Sequence, residues 1–600
     1  MSAVIDIQDL WVEARSSGGD FHPIVEGVSV SVHPGEVVAL IGESGSGKTT
    51  TALSAMAYSK PGCRIVGGSI KLNGRDLLEL TPEERRQLRG REAAYVAQSA
   101  ASAFNPAIRI GDQVIESTII HNLMPRDEAL RQAVEMYQRL DLPESGQLSN
   151  RYPHQVSGGQ LQRLMAAMAM SSSPSLLILD EPTTALDVTT QISVLSAFKE
   201  LIKGQNTAAI YVTHDLAVVA QIADRIIVMQ NGKVMETGST AEIISRPQNP
   251  YTQTLMAAVR PPPKSMSFEG LEDTQAASDS IIRVNSLTAG YGRTKKKIVL
   301  RDVSLDVPRG KVVGVIGESG CGKSTLARVI AGLLPQVSGE IFHHGENLRD
   351  TAKRRTRDVL KNIQIVFQMP DVAVNPRHRV REILGRPLHL FMGLDVGARE
   401  SRIDELLELV ELPASYKTRF PGELSGGEKQ RINLARALAA EPELILCDEV
   451  TSALDTVVGK AIIDLLKKLQ TNLGVAYLFI SHDLSTVASF ADQVVVLYAG
   501  RVVEQGSLAS VLAPPFHPYT RLLLGSVPEL RTDWLDGVVA SKAHLVRLGQ
   551  LVDGNAVGCP FFNRCTSAVA DVCNRHDPPL REASQGHTVA CHLELDSLHM

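Results

Sequence analysis

The sequence has 600 residues, of which 44% are hydrophobic, 21% charged and 4% aromatic, and its net charge is −5. This composition is that of a globular chain and excludes a collagen-like or wholly disordered protein. Because there is no basic excess, the overall charge favours no nucleic-acid partner. We find no apolar run of the roughly 18 residues that a membrane span needs and expect no secretory leader. Any membrane role should therefore depend on a partner protein.

The first half of the chain recurs in the second half. The segment GESGSGKT at 42–49 recurs as GESGCGKS at 317–324, and SGGQ at 157–160 recurs as SGGE at 425–428. Two dipeptides recur 268 positions later in the same order, namely Asp180-Glu181 as Asp448-Glu449 and His214-Asp215 as His482-Asp483. Such a long period indicates tandem domains rather than a solenoid of short repeats.

The repeat divides the chain into two modules, a linker and a tail. The segment between the modules is proline-led, polar and acidic, which is typical of a linker. Short apolar runs, such as 37–41 and 312–316, alternate with segments of helical spacing, which predicts α/β domains with buried parallel strands. We predict a first module over 1–260, a linker over 261–280, a second module over 281–527 and a tail over 528–600.

The two glycine-rich segments match the phosphate-binding loop, a strand that runs into G-x-x-x-x-G-K-[ST]. Glycines let backbone N–H groups turn toward phosphates, and the N-terminus of the following helix adds a favourable field. The lysine reaches the terminal phosphates, and the next hydroxyl can contact Mg²⁺. Two matches, each after an apolar strand, are not a chance glycine-rich turn. The predicted residues are Gly42, Ser44, Gly45, Gly47, Lys48, Thr49 and Thr50, and Gly317, Ser319, Gly320, Gly322, Lys323, Ser324 and Thr325.

A carboxylate pair follows an apolar run in each module. Asp180 and Asp448 end these runs, and a side chain at the carboxyl end of a parallel strand faces the crevice where ligands bind. There an aspartate can hold Mg²⁺ through water, and the next glutamate can orient and deprotonate the attacking water. An Asp-Glu pair by itself is more often a solvated turn. Downstream of a phosphate loop, we interpret Glu181 and Glu449 as the catalytic bases.

The segments SGGQLQR at 157–163 and LSGGEKQR at 424–431 resemble the signature of ATP-binding cassette (ABC) ATPases. The resemblance covers about residues 1–260 and 281–528. It implies an α/β fold of tandem P-loop nucleotide-binding domains, each with a RecA-like core and a helical subdomain. The further positions that match the family are Gln98, Gln368, His214 and His482, the signature residues Ser157, Gly158, Gly159, Ser425, Gly426 and Gly427, and the loops 185–187 and 453–455.

The resemblance implies a joint role for these residues. Two such domains sit head to tail, so that the signature segment of each module would close the phosphate loop of the other. His214 and His482 would contact the γ-phosphate, and Gln98 and Gln368 would sense Mg²⁺ and the attacking water. Because both modules keep glutamate and histidine, we expect two competent sites for ATP and Mg²⁺.

One family position differs between the modules. Tyr291 matches the aromatic residue that stacks on adenine, whereas Ala14 stands at the matching position of the first module. Trp11 or Phe21 is the alternative there.

Two recurring segments narrow the family. NPYT at 249–252 and HPYT at 517–520 end the two modules, and Asn-Pro follows both Gln98 and Gln368. These features resemble the ATPases of dipeptide, oligopeptide and nickel importers, with the usual two subunits fused. We therefore predict ATP hydrolysis that powers solute import, most simply of di- or oligopeptides. The resemblance implies two integral-membrane permease subunits, a periplasmic or extracellular solute-binding protein, no nucleic acid, and a peripheral place on the cytoplasmic face of the bacterial inner membrane.

Other functions stay open at this point. Twin-cassette ATPases also act in translation and DNA repair, but the former typically have a long charged helical linker and the latter large zinc insertions, and we recognise neither here. An exporter ATPase is disfavoured by the importer-like segments. Opines, glutathione-like compounds and nickel chelates are alternative solutes.

The cysteines raise two further hypotheses. Cys321 lies inside the second phosphate loop beside Lys323 and a helix N-terminus, which favour a reactive thiolate, and an inert small residue is the alternative. The tail spaces four more as C-x₅-C-x₇-C-x₁₇-C and resembles the C-terminal region of peptide-importer ATPases, some of which carry a [4Fe-4S] cluster. Its predicted metal ligands are Cys559, Cys565, Cys573 and Cys591.

Four thiolates can hold either an iron–sulfur cluster or tetrahedral zinc. The lack of C-x₂₋₄-C pairs favours the cluster over Zn²⁺, for which His587 or His592 could replace a cysteine, and a tail without metal is the third possibility. Because the tail has no phosphate-contacting motif, we expect the metal to staple it near the permease and not to act in ATP chemistry.

Overall fold

The computed structural model describes residues 2–16, 19–140, 142–183, 186–259, 280–292, 297–452, 454–541 and 557–598. The predicted linker, except Ser280, and positions 185 and 453 of the two predicted loops lie outside these residues. The chain divides into two compact units, one formed by Met1–Val259, Asp455–Val457 and Pro528–Gln550, the other by Arg260–Leu454, Val458–Val527 and Leu551–Met600. In the described ranges, no helix has the length and apolar character that crossing a membrane requires.

The first module contains two sheets. Its strands are β1 (Ile5–Arg15), β2 (Phe21–Val32), β3 (Val37–Ile41), β4 (Cys63–Leu72), β5 (Arg75–Asp76), β6 (Ala93–Val96), β7 (Leu176–Asp180), β8 (Ala208–Val212), β9 (Arg225–Gln230) and β10 (Lys233–Ser239). An antiparallel sheet has the order β2-β1-β4-β5, and a second sheet has the order β10-β9-β3-β8-β7-β6. The second sheet is parallel except at β10. Every residue of β3, β7 and β8 is buried, as expected where both faces of a parallel sheet are covered.

The same module contains twelve α-helices in the described residues. They are α1 (Lys48–Ser54), α2 (Pro82–Leu88), α3 (Ala100–Ala103), α4 (Ile110–Val114), α5 (Glu116–Ile120), α6 (Arg126–Arg139), α7 (Ser145–Leu148), α8 (Gly158–Met170), α9 (Val188–Gln205), α10 (Leu216–Ile222), α11 (Thr240–Ser245) and α12 (Pro250–Ala258). Helix α6 buries Ala129, Ala133 and Tyr137, a spacing of four that places all three on one face.

The second module repeats this plan. Its strands are β11 (Ser280–Tyr291), β12 (Lys297–Pro308), β13 (Val312–Ile316), β14 (Gln336–His343), β15 (Glu346–Asn347), β16 (Ile363–Val366), β17 (Leu444–Asp448), β18 (Ala476–Ile480), β19 (Gln493–Tyr498) and β20 (Arg501–Ser507). Its helices are α13 (Lys323–Ile330), α14 (Arg357–Asn362), α15 (Pro370–Ala373), α16 (Val380–Pro387), α17 (Val396–Leu409), α18 (Gly426–Leu438), α19 (Thr456–Leu473), α20 (Leu484–Ala488), α21 (Leu508–Val511) and α22 (Pro518–Leu524).

The tail adds two strands to the second module. Strands β21 (Leu580–Ser584) and β22 (His587–Ala590) form a hairpin, and β22 pairs with β20. The main sheet of this unit therefore has eight strands, in the order β16-β17-β18-β13-β19-β20-β22-β21. Residues 557–598 are thus part of the second unit.

The start of the tail belongs instead to the first unit. Helix α23 (Trp534–Ser541) buries Trp534 and Leu535 in the core of that unit. The Gln221 side-chain amide donates to the carbonyls of Glu529 and Arg531 at 2.8 and 2.9 Å and accepts from the Leu535 amide at 3.0 Å. The segment that the sequence presented as one tail is divided between the two units.

Candidate active sites

Both phosphate loops have the backbone that their glycines permit. Gly42 and Gly317 have φ angles of 146° and 152°, and a Cβ there would lie 2.1 Å from the carbonyl oxygen of Met229 or Leu497. A larger residue would collide with the neighbouring strand end, so the close approach itself requires glycine. The loops lead directly into α1 and α13.

The loop lysines fold back over these loops. The Lys48 ammonium donates to the carbonyls of Gly42 and Glu43 at 2.8 and 2.7 Å, and Lys323 does the same to Gly317 and Glu318 at 2.7 and 3.0 Å. Burial lowers the pKa of Lys48. Phosphate oxygens in the loop would offer such a buried ammonium a stronger acceptor than a carbonyl.

A hydroxyl and an aspartate meet at the edge of each loop. Thr49 Oγ1 donates to Asp180 Oδ1 at 2.9 Å, and Ser324 Oγ donates to Asp448 Oδ1 at 2.7 Å. Burial raises the pKa of Asp448. A hydroxyl beside a carboxylate, next to the phosphate position, supplies the oxygen ligands that Mg²⁺ prefers. The residues present therefore fit a magnesium ion in both modules.

The glutamate after each aspartate lies between a histidine and a glutamine. Glu181 is 3.0 Å from His214 Nδ1 and accepts from Gln98 Nε2 at 2.9 Å. Glu449 and its partners repeat this arrangement, with His482 Nδ1 at 3.3 Å and Gln368 Nε2 at 3.0 Å. The Lys323 ammonium lies 3.9 Å from Glu449. The structure thus brings the predicted base, histidine and glutamine together in each module.

These contacts set the charges of the group. Burial is the largest single influence on both histidines and would lower their pKa, but the hydrogen bond to the glutamate, the glutamate charge and the next aspartate together raise the pKa of His214 and of His482. Burial would likewise raise the pKa of Glu449, but the hydrogen bond to His482 and the charges of His482 and Lys323 together lower it. Glu449 is therefore ionised at neutral pH, as a base that accepts a proton from water must be.

The signature segments begin α8 and α18 in the same way. Ser157 Oγ accepts from the Gln160 amide and Ser425 Oγ from the Glu428 amide, both at 3.3 Å, and the side chains at 160 and 428 return the bond. This capping box fixes each helix start. A Cβ on Gly159 or Gly427 would lie 2.4 Å from the next helix, so packing explains the second glycine. Among the described residues, nothing lies within 4 Å of a Cβ placed on Gly158, and a Cβ on Gly426 would meet only Leu454, at 3.7 Å. Packing among these residues therefore does not explain the first glycine.

The aromatic positions differ between the modules. Tyr291 is 41% exposed, and its hydroxyl lies 3.3 Å from Thr325 Oγ1 at the start of α13. In the first module Ala14 is paired inside the antiparallel sheet, while the ring of Phe21 carries the Arg64 guanidinium at 3.8 Å. Trp11 is 39% exposed and its indole N–H donates to Asp9. The aromatic partner of adenine in the first module stays a prediction.

The recurring Pro-Tyr-Thr segments contact the phosphate loops directly. The Tyr251 hydroxyl accepts from the Glu43 amide at 3.0 Å, and the Tyr519 hydroxyl accepts from the Glu318 amide at 2.8 Å. These tyrosines were not among the predicted site residues, although the recurrence of their motif was a usable signal. Each tyrosine thus holds the backbone of the phosphate loop in its own module.

The tail also reaches the second phosphate loop. Arg564 donates to both carboxylate oxygens of Glu318, at 2.6 and 2.7 Å, and to the Tyr498 hydroxyl at 3.3 Å. Only 7% of the Arg564 side chain is exposed. Arg564, the residue before Cys565, therefore holds a side chain of the loop that would bind phosphate. The expectation that a metal in the tail takes no part in ATP chemistry stays a prediction.

The four tail cysteines line one pocket. Cys559, Cys565, Cys573 and Cys591 surround it together with His517 and His592, and all four thiols are free. The His587 ring lies outside the lining and contacts Glu504 at 2.9 Å, with both side chains buried. It is therefore held elsewhere and does not replace a cysteine, whereas His592 is on the pocket wall.

The reactive-thiol hypothesis for Cys321 is wrong. The residue is buried, and burial raises the pKa of its thiol to about 11, against the opposing pull of Lys323. At neutral pH the thiol keeps its proton. The alternative that the sequence left open, an inert small residue, is the one that the fold supports.

Known proteins share this double arrangement. A family model described as ABC transporter matches residues 25–184 and 300–452. The chain belongs to this family. A second model, described as the C-terminal region of oligopeptide/dipeptide transporters, matches 235–282 and 503–573 of this ABC protein.

Curated relatives carry both modules in one chain. The "Glutathione import ATP-binding protein GsiA" of Salmonella typhimurium (strain LT2) is 38% identical over 538 residues, covering 84% of this chain and 86% of its own. That of Escherichia coli O157:H7 is 37% identical over 540 residues with the same coverage. The ATP-binding cassette MJ0796 in a post-hydrolysis state is 30% identical, with a TM-score of 0.34, over 38% of this chain and 98% of that chain. The prediction of an ABC ATPase with two fused α/β modules is confirmed.

Proposed function

We propose that this chain hydrolyses ATP to power the import of a short peptide-like solute, of which glutathione is one candidate. The observation that carries the proposal is the match of the oligopeptide/dipeptide transporter region to 235–282 and 503–573. Relatives named for glutathione import, alignable over 84% of the chain, support the same class. The protein would act at the cytoplasmic face of a bacterial inner membrane, with two permease subunits and a separate solute-binding protein that selects the solute.

We propose that Glu181 and Glu449 accept the proton of the attacking water. Each carboxylate is hydrogen-bonded to a histidine and a glutamine, so the base and the groups that would sense the γ-phosphate are joined directly to one another. Lys48 and Lys323 would bind the terminal phosphates. Mg²⁺, held by the hydroxyl and aspartate pairs, would neutralise charge on the leaving phosphate.

We further propose that the signature segment of each module completes the ATP site of the other. This proposal is supported by Gly158 and Gly426, two glycines that the packing of the described residues does not require. The variants Lys48→Ala and Ser425→Arg should then damage one common site, so their combined loss of ATPase activity should be far from additive. Independent, multiplicative losses would contradict this pairing.

Uptake in the source bacterium tests the transport proposal. Deleting the gene should abolish accumulation of labelled glutathione or of a labelled dipeptide, and the wild-type gene should restore it. The Glu181→Gln/Glu449→Gln variant should be produced at wild-type level without restoring uptake. Unchanged uptake of every peptide tested would overturn the proposal. Cosedimentation with ribosomes or DNA in place of membranes would favour the translation or repair alternatives.

We also propose that the four tail cysteines hold a [4Fe-4S] cluster. Burial raises the pKa of Cys559 to about 12 and of Cys565 to about 11, against backbone N–H donors from Phe561 and Ser567. The Cys573 sulfur accepts from the Val569 amide at 3.4 Å. Buried thiols with amide donors aimed at sulfur suit metal-bound thiolates, since the metal replaces the protons. Such a cluster would join the tail segments and so hold Arg564 against Glu318.

The spacing of the cysteines in the sequence favours the cluster over zinc, because the tail lacks the C-x₂₋₄-C pairs that are usual in structural zinc sites. Protein purified without oxygen should be brown and contain iron and acid-labile sulfide. Colourless protein that contains one zinc per chain would show that the cysteines bind zinc and not a cluster. Protein with neither metal would overturn the metal site.

A further inference from the structure

The group at His343, His344 and Glu443 lies outside both ATP sites and outside the cysteine pocket. Its three ligand atoms all lie within 4.8 Å of one another. His344 Nε2 is 2.6 Å and His343 Nε2 3.4 Å from the same carboxylate oxygen of Glu443. The two imidazole rings are 4.3 Å apart between centroids. Two imidazoles and one carboxylate are ligands typical of a divalent transition metal ion.

The fold brings these residues together from two distant segments. His343 ends β14, and His344 with Gly345 forms the turn to β15, with φ angles of 50° and 80°. Glu443 immediately precedes β17, whose far end carries Asp448. The turn thus presents both histidines to the start of the strand.

A buried nitrogen that lacks a well-formed hydrogen bond points to a ligand. His343 is 6% exposed, and among the described residues its buried Nε2 forms no hydrogen bond of good geometry, since its contact with Glu443 Oε2 is 3.4 Å long. Leaving such a polar atom unsatisfied is costly. His344 and Glu443 are about one third exposed, so solvent can reach the group and a metal would keep open coordination positions. The Arg309 guanidinium lies 3.9 Å from the other oxygen of Glu443 and leaves Oε2 to the imidazoles.

The first module supplies an internal comparison. There, Leu72 and Asn73 stand where His343 and His344 stand, since Leu72 pairs with Ile5 as His343 pairs with Ile282. Asn73 donates to Ser175 Oγ at 3.1 Å, and Ser175 occupies the place of Glu443. A polar turn-to-strand contact is therefore all that the fold requires. The buried histidine in place of leucine is not explained by that contact.

We propose that His343, His344 and Glu443 form a binding site for one divalent transition metal ion such as Zn²⁺. A metal ion bound to His343 Nε2 would give this buried nitrogen a partner. The same ion would take the place of the proton between His344 and Glu443. The ion would fasten the β14–β15 turn to the start of β17. This proposal does not depend on the transported solute or on the cysteine pocket.

Titration of the metal-free full-length protein with Co²⁺, without nucleotide, tests the proposal. Cobalt on nitrogen and oxygen ligands gives weak visible absorption bands, whereas cobalt on the tail thiolates adds an intense sulfur-to-metal charge-transfer band. The variant His344→Asn/Glu443→Ser installs the residues of the first module, which that module shows to be compatible with the fold. We expect the wild type to bind one more Co²⁺ per chain than this variant, with equal charge-transfer intensity in both.

Two controls keep the test sharp. His389 is exposed and is not one of the three residues of the group, so His389→Asn should leave the Co²⁺ stoichiometry unchanged. Glu443→Gln, which preserves the size of the side chain, should weaken Co²⁺ binding more than about 10–100-fold, the range already typical for residues that merely support metal ligands. Equal stoichiometry and equal spectra in the wild type and the double variant would overturn the site.

Discussion

The two phosphate loops have nearly the same sequence but different surroundings. Both are supported by a tyrosine hydroxyl at the backbone amide after the first glycine, from Tyr251 at 3.0 Å and Tyr519 at 2.8 Å. In the second loop the Glu318 side chain also forms a buried two-point ion pair with Arg564. For Glu43, the corresponding residue, the described parts of the chain supply no ion pair with arginine or lysine. The same predicted catalytic residues are thus held in unequal surroundings. Within the described residues, an ion pair from the tail reaches the second loop and not the first.

The largest expected effect tests whether the catalytic parts are equivalent. Glu181→Gln and Glu449→Gln each remove one base, and together they should reduce ATP hydrolysis by about 10²–10⁴-fold, because an amide cannot accept the proton of water. Nucleotide binding, measured by fluorescence of a labelled ATP analogue, should persist. Equal losses of ATPase activity in the two single variants would show that the two sites are equivalent in activity as well as in structure. A double variant that hydrolyses ATP near the wild-type rate would refute the assignment.

Removing Arg564 should destabilise the second phosphate loop and leave the first unchanged. Arg564→Met leaves Glu318 as a mostly buried carboxylate without its partner, a change that costs about 3–5 kcal/mol. Hydrogen–deuterium exchange of 317–324 should accelerate roughly 100-fold or more, while exchange of 42–49 should not change. Arg564→Lys should restore part of the protection, since it keeps a charge but loses the two-point geometry.

Equal acceleration in both loops would show a general loss of stability, and no acceleration in either would contradict the role of the ion pair. The iron content of the same variant distinguishes a lost ion pair from a lost cysteine site. We expect iron to be retained, because Arg564 binds the loop and its side chain does not line the cysteine pocket.

The tyrosine hydroxyls should have smaller and unequal effects. Tyr519→Phe removes the acceptor of a backbone N–H group in a fully buried setting, which costs about 1–3 kcal/mol, whereas Tyr251 is half-buried and water can replace its hydroxyl. Thermal unfolding of the two variants should show the larger drop in Tm for Tyr519→Phe. Equal decreases in Tm for the two variants would show that the burial of the tyrosine hydroxyl does not determine its contribution to stability.

The smallest effect is expected at Cys321, which stands where the first loop has Ser46. Cys321→Ser should leave the ATPase rate unchanged, because Ser46 already performs in the first loop. Since the pKa is raised to about 11, alkylation of Cys321 in the native protein should be slow at pH 7 and rise about tenfold per pH unit up to pH 10. Fast labelling at pH 7 would show that the thiol is not buried in solution.

The sequence indicated which side chains would come together, because their geometry is local or follows from strand order. A phosphate loop positions its own lysine and hydroxyl within eight residues, and strands that run in parallel bring their terminal carboxylates to the same edge of a sheet. Gln98 and His214 were assigned by resemblance, and the structure places both against Glu181. How the signature segments face the phosphates is still a prediction.

The sequence alone therefore determined the fold class, the duplication and which side chains meet beside each glycine-rich loop, since these depend on short motifs in a fixed order. Only the tertiary structure decided which partners those motifs acquired. Arg564 reaches Glu318 across 246 residues, and His344 reaches Glu443 across 99. No local pattern encodes such pairs, because they exist only after the order and register of the strands have brought distant segments side by side. The same strand order and register place two phosphate loops of nearly identical sequence in different surroundings.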